Sequence, residues 1–180
     1  MARPSDTKKR ILTAARELFA AKGVQQTSLQ EIADRLGITK PALYYHFSSR
    51  EELVRSIVEP LLSDGQRFLR DIARREGVAP RELLEGFFDF QHRHRADVLL
   101  LLTEMTTLAE LGLIDTVLSW RAEVATLIFG PDPTLEQQIR ATLAIGGLQD
   151  CTIQFPDTPV DELRAVTVTA ALDALALNEN

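Results

Sequence analysis

Thr27-Ser28-Leu29-Gln30-Glu31-Ile32-Ala33-Asp34-Arg35-Leu36-Gly37-Ile38-Thr39-Lys40-Pro41-Ala42-Leu43-Tyr44-Tyr45-His46-Phe47 spells two short helices with a tight turn between them. Leu29, Ile32, Ala33 and Leu36 make one apolar face at helical spacing. The helix opens on a capping box, either Thr27 with Gln30 or Ser28 with Glu31. Gly37 falls where the turn requires a positive φ. Thr39 is a good N-cap for the next helix, and Pro41 lies in its first turn, where a missing N–H costs nothing. Leu43 and Phe47 point inward, while Ile38 and Leu43 fill the wedge and Ala33 permits close approach. This is helix-turn-helix spacing. The second helix projects Lys40, Tyr44, Tyr45 and His46, a set suited to phosphates and base edges. Spacing alone leaves a DNA reader and a generic helical hairpin both open.

Outward from that stretch, every segment reads as helix. Residues 6–22 place Ile11, Ala15, Leu18, Phe19 and Lys22 on one side, and Gly23 closes them. Ser49 and Glu52 form a capping box for a long helix from Arg50 to about Glu76, with Gly65 as the place for a bend. Further helices follow Pro80, run from Asp97 to Leu111 and continue from Leu113 to Phe129. Thr134 caps one that reaches Phe155, and the last ends near Leu177. Strand alternation is absent. The expectation is an all-α fold of about nine helices, divided into a three-helix domain at 1–50 and a larger helical domain at 51–180.

Composition narrows the function. Of 180 residues, 45% are apolar and 26% charged, the balance of a soluble globular chain. The longest apolar run, Val98 to Leu102, is far below the ~20 residues of a membrane span. The N-terminus has basic residues but no apolar stretch behind them, so it does not read as a secretory signal. Cys151 is the only cysteine, which excludes an intramolecular disulfide and points to a reducing compartment. The expected location is the cytoplasm, with no membrane partner. The net charge of −6 is uneven: residues 1–50 carry +5 and residues 51–180 carry −11. A basic module on an acidic body fits a polyanion as partner.

The run Thr27 to Phe47 strongly resembles the TetR (tetracycline repressor) family, as do Ile11-Leu12-Thr13-Ala14-Ala15-Arg16-Glu17-Leu18-Phe19 before it and Ser49-Arg50-Glu51-Glu52-Leu53 after it. The resemblance covers about residues 7–55. It implies an all-helical homodimer with a helix-turn-helix DNA-binding domain and a variable ligand-binding domain. By position it implies that Gln30, Lys40, Pro41 and Tyr44 face base edges. Lysine can read guanine O6/N7, and a tyrosine ring can touch a thymine methyl. It places Thr27, Ser28, Thr39, Tyr45, His46 and Arg50 on phosphates, the three hydroxyl residues at helix N-termini that favour anions. Most family members have lysine where this chain has Arg50, and either cation suits a phosphate. Tyr45 is alternatively a packing aromatic, and His46 alternatively bonds the backbone.

Residues 51–180 say less. Phe87, Phe88, Phe90, Glu104, Met105 and Trp120 are the candidate lining of a mostly apolar effector pocket, with ordinary core as the competing reading. An inward Glu104 would favour a ligand with a cationic or hydrogen-donating group; a solvated or salt-bridged Glu104 is the alternative. His92 and His94 lie about 200° apart on a helix and are not expected to share a metal. No metal and no cofactor are expected. Cys151, beside Asp150, reads as a buried structural thiol rather than a sensor. Small residues, Ala141, Ala144, Gly146 and Gly147 on one helix and Ala165, Ala170, Ala171 and Ala174 on the next, suggest a four-helix dimer interface over residues 134–177.

The functional expectation is a transcriptional repressor that binds a pseudo-palindromic double-stranded operator as a dimer and is released by a small-molecule effector. The alternative is a helical small-molecule-binding or interaction protein without operator binding. An enzyme is not expected, because no nucleophile–base motif, glycine-rich phosphate loop or metal-ligand spacing is present.

Overall fold

The computed structural model describes residues 4–103, 105–110 and 112–176. Its helices are α1 (Pro4–Lys22), α2 (Leu29–Leu36), α3 (Lys40–His46), α4 (Arg50–Ala73), α5 (Pro80–Arg93), α6 (Arg95–Thr103), α7 (Met105–Glu110), α8 (Ile114–Phe129), α9 (Leu135–Gln154) and α10 (Val160–Ala174). No strand occurs among the described residues, so the fold is all-α. The predicted helix over 97–111 corresponds to α6 and α7, and Glu104 and Leu111 lie outside the described residues.

The chain forms two compact units. One runs up to Pro60 and includes Leu99–Gly112; the other holds Leu61–Val98 and the chain from Leu113 onward. The division falls within α4 rather than at residue 50, and there is a physical reason. Leu53, Val54, Ile57 and Val58 of α4 are buried. The Arg16 guanidinium also donates to the Ile57 carbonyl at 3.0 Å. The first turns of α4 thus complete the N-terminal core.

Within the first unit α1 packs on α2 and α2 on α3. Ile11, Ala15, Phe19, Ile32, Ala33, Leu43 and Phe47 fill the core, the faces that helical spacing marked. Ser28 is the N-cap of α2: its hydroxyl accepts from the Glu31 N–H, and Glu31 reaches back to the Ser28 N–H. Gly37 ends α2 at φ 64, and its N–H closes onto Ala33 and Asp34 carbonyls. Thr39 caps α3 by accepting from the Ala42 N–H. At the start of α4 the capping box is shared: Ser49 caps the Glu52 N–H as expected, but the Glu52 carboxylate turns to Ser48. Glu52 accepts from both the N–H and hydroxyl of Ser48 at 2.7 Å, while Ser49 accepts from the Glu52 N–H.

In the second unit α9 packs against α5, α8 and α10, and α10 packs on α5. Leu83, Leu84, Phe87, Phe88 and Gln91 are all buried on α5. α4 runs through Gly65 as an α-helix. A Cβ at Gly65 would come within 2.6 Å of the Trp120 ring, so this glycine makes room for a tryptophan instead of marking a break. Thr134 caps α9 with Gln137 in a capping box. Cys151 is half-buried on α9, more open than the buried thiol expected.

Candidate nucleic-acid interface

The outer face of the helix-turn-helix gathers most of the predicted contact residues. Ser28, Gln30, Thr39, Lys40, Pro41, Tyr44 and Tyr45 are exposed, and His46 is half-buried. Tyr45 is 83% exposed, so it is not the packing aromatic considered above. Its ring meets His46 edge-on at 5.2 Å. Lys40 Nζ lies over the Tyr44 ring at 5.7 Å, which holds a cation and an aromatic side by side on α3. Ser28, Leu29, Gln30, Lys40, Tyr44, Ser48, Ser49, Arg50 and Glu51 line a cleft of about 410 Å³. α2, α3 and the start of α4 all open onto it.

Thr27 departs from its assigned place. It is fully buried, its hydroxyl donates to the Gly23 carbonyl at 2.8 Å, and its N–H donates to Val24. It braces the turn before the N-cap, and both of its donors are engaged inside the domain. Spacing did not separate it from Ser28, because both residue types can cap. Arg50 is partly structural as well: Nη1 donates to the Gln25 carbonyl at 2.9 Å, tying the α1–α2 turn to α4.

The acidic residues around this face are held by local partners. Lys22 donates to Glu31, and together with the Ser28 bonds this lowers the Glu31 pKa to about 2. Glu52 is lowered chiefly by Ser48. Glu51 is lowered by its own backbone N–H and by Ser49. Asp34 accepts from Gln30 at 2.7 Å, and Glu17 pairs with Arg35. These carboxylates are drawn into caps and pairs, while Lys40 projects outward.

In the second unit Phe87, Phe90 and Trp120 do come together. Phe90 lies 6.0 Å from Phe87 and 6.0 Å edge-on from Trp120. Phe68 of α4 joins them, stacked 6.3 Å from Phe90. Sequence reasoning missed Phe68; its signal was Gly86, whose Cβ would lie 2.8 Å from that ring. Phe88 turns away and stacks on His92 at 5.9 Å. Glu104 and the Met105 side chain lie outside the described residues. His94 is buried between acids, with Nε2 3.0 Å from Asp64 and Nδ1 3.9 Å from Asp97. Among the described residues no three His, Cys, Asp or Glu are grouped to hold a metal. No helix among them is long and apolar enough to cross a membrane.

An exposed helix with a cation, two tyrosines and a proline, set by a tight turn on a three-helix core, defines a helix-turn-helix protein. The profile described as "Bacterial regulatory proteins, tetR family" matches residues 11–57. The transcriptional activator FasR of Mycolicibacterium smegmatis is 39% identical over 93 residues, which are 48% of this chain and 42% of FasR. The transcriptional repressor KstR2 of the same organism is 30% identical over 122 residues, 63% of this chain and 57% of KstR2. The chain thus spans about half the length of these curated relatives. A crystal structure of a TerR/AcrR-family transcriptional regulator from Aquifex aeolicus superposes with a TM-score of 0.74 at 24% identity, covering 91% of this chain and 96% of that one. Residues 11–57 are thus similar to the tetR-family profile, and the chain shares its all-helical fold with the Aquifex aeolicus structure. The named relatives regulate transcription; none is an enzyme.

Proposed function

We propose that this protein is a ligand-responsive transcriptional repressor that binds a pseudo-palindromic operator as a homodimer. The carrying observation is the α3 face. Lys40, Pro41 and Tyr44 are exposed together beside Gln30, while nearby carboxylates are engaged in caps and ion pairs. In this reading Gln30, Lys40, Pro41 and Tyr44 meet base edges, and Ser28, Thr39, Tyr45, His46 and Arg50 hold phosphates. Arg50 keeps Nε and Nη2 for a phosphate while Nη1 holds the α1–α2 turn. Thr27 acts only through the turn it braces.

The dimer forms through residues 134–177. Leu135, Ile139 and Leu143 of α9 recur every fourth residue and are 73%, 51% and 65% exposed; Val166 of α10 is 66% exposed. A second copy is the occupant that symmetry favours, since one patch serves both partners. Of the alanines noted in the sequence, Ala165 and Ala170 lie on the exposed side, while Ala141, Ala144 and Ala171 pack within the chain. Two recognition helices would then sit about one DNA turn apart, ~34–36 Å, or somewhat further. An effector against Phe87, Phe90 and Trp120 releases DNA only if it binds the DNA-free state more tightly.

The test is DNA affinity against salt. Log K should fall linearly with log salt between ~50 and ~200 mM. Arg50→Ala should weaken all sequences alike and flatten that slope by about one unit. Salt-indifferent binding would remove the electrostatic reading. A changed sequence preference in Arg50→Ala would remove the phosphate role.

A further inference from the structure

Most of the cations in the first unit are engaged by the structure already described. Arg16 donates to the Ile57 carbonyl, Lys22 pairs with Glu31, and Lys8 Nζ lies over the Phe47 ring at 5.4 Å. Lys40 belongs to the α3 face, and Arg50 ties the α1–α2 turn to α4. Lys9, Arg10 and Arg35 serve neither purpose, and the fold brings these three together. With Thr13, Glu17 and Leu36 they line a cleft of about 310 Å³ between α1 and α2. All three cations are exposed. Glu17 is the one acid lining the cleft among the described residues, and Arg35 pairs with it. No carboxylate among the described residues pairs with Lys9 or Arg10, so the cleft carries two uncompensated positive charges.

Two ion pairs fix where this cleft lies. Lys22 meets Glu31 and Glu17 meets Arg35, so α1 and α2 run antiparallel and the start of α1 lies beside the end of α2. The cleft of Ser28, Gln30 and Arg50 opens at the other end of α2. With eight residues, α2 is ~12 Å long. The major groove of B-DNA is also ~12 Å wide. Lys40, the first residue of α3, follows Leu36 by four residues and so lies within ~14 Å of it. Resting on the reading above that α3 enters the groove, we propose that Lys9 and Arg10, with Arg35 beside them, grip backbone phosphates of the strand opposite the one held by Ser28 and Arg50. α2 then bridges the groove with a phosphate-binding cleft on each rim. The recognition helix enters between two anchored strands, which sets its orientation. Phosphate contacts carry no sequence information, so this cleft adds affinity without changing base choice.

The test uses the full-length protein and the duplex it selects from a random pool. Lys9→Gln/Arg10→Gln should flatten the slope of log K against log salt by about two units and weaken binding at least ~10-fold at ~0.1 M salt. The order of preference among variants of that duplex should not change. Arg70→Gln/Arg74→Gln removes the same charge from exposed positions of the second unit. It should move the slope by less than about half a unit. Neutral methylphosphonates placed singly along each strand then locate the contacts. The penalty for neutralising a phosphate should vanish on one strand in Lys9→Gln/Arg10→Gln and on the other in Arg50→Ala. An unchanged slope in Lys9→Gln/Arg10→Gln would overturn the proposal, as would an equal change in Arg70→Gln/Arg74→Gln or a map that puts both sets of contacts on one strand. If Lys9→Gln/Arg10→Gln does not fold, the unaltered protein decides: methylphosphonates should weaken binding on both rims of each half-site groove, and an effect confined to one rim would overturn the proposal. Enrichment of no duplex at all would remove the DNA reading and this inference together. A selected duplex bound with an unchanged slope by Lys9→Gln/Arg10→Gln removes this inference alone.

Discussion

The two units handle charge in opposite ways. In the first, Lys40 and Tyr44 project to solvent while acids such as Glu31 and Glu52 are tied into helix caps and pairs. In the second, Asp64 lies 3.0 Å from His94 and 3.2 Å from Arg67, and Asp97 lies 3.9 Å from His94, so acids gather around a buried histidine. A cation on an exposed helix costs little and awaits a polyanion of any length. A polar group on a buried face is costly unless it is partnered. The contrast is between a surface that projects its cation to solvent and an interior that holds its acids against a histidine.

Breaking the proposed assembly should have the largest effect. Val166→Glu places a charge on the exposed apolar face of α10 and should give monomers in analytical ultracentrifugation. Operator affinity should then fall by ~10²–10⁴-fold, because half-site binding loses its coupling. A dimeric Val166→Glu with normal affinity would move the interface elsewhere. Charging Ala171 would not be a clean test, since that residue is 4% exposed within the chain's own core.

A matched pair of glycine substitutions sharpens the comparison. Gly65→Ala drives a methyl into the Trp120 ring and should cost about 1–3 kcal/mol by overpacking, with a shift in tryptophan fluorescence. Gly37→Ala meets nothing within 4 Å but must adopt φ 64, and should cost about 1–2 kcal/mol by backbone strain alone. Chemical denaturation gives both values. Only Gly65→Ala should alter the Trp120 signal of the native state, and the converse pattern would mean the two roles are misassigned.

The smallest effect concerns pH. The Glu31 carboxyl is held near 2, against an ordinary 4.5, first by Lys22 and then by Ser28. Its folded-state pKa is depressed, so its contribution is complete above about pH 4.5 and is lost as pH falls towards 2. The Tm advantage of the unaltered protein over Glu31→Gln should therefore close across that window. A gap that stayed constant from pH 6 to pH 2 would show that the capping box gains nothing from the charge.

What could be read from the chain follows the same division. α2 and α3 carry their caps, turn glycine and apolar faces within twenty-one consecutive residues, so local spacing determined both their limits and their outward side chains. Thr27 failed because a cap and the residue before it share the same chemistry, and only the bond to Gly23 distinguishes them. In the second unit the aromatic cluster draws Phe68, Phe87, Phe90 and Trp120 from three helices. Only Phe87, Phe90 and Trp120 were suspected, because Phe68 belongs to the set by tertiary packing. Gly65 looked like a bend for the same reason: its partner, Trp120, lies fifty-five residues further along the chain.

The central claim is that the exposed α3 face, presented twice by a dimer, reads DNA sequence. The most direct measurement is selection of bound duplexes from a random pool by the full-length protein, followed by anisotropy titration of the winning sequence. The account predicts a two-fold symmetric consensus with half-sites about one helical turn apart or somewhat further. It also predicts that Lys40→Ala loses ~10- to 100-fold affinity for that consensus and little for random DNA. Enrichment of no symmetric sequence, or equal losses on consensus and random duplexes in Lys40→Ala, would contradict it.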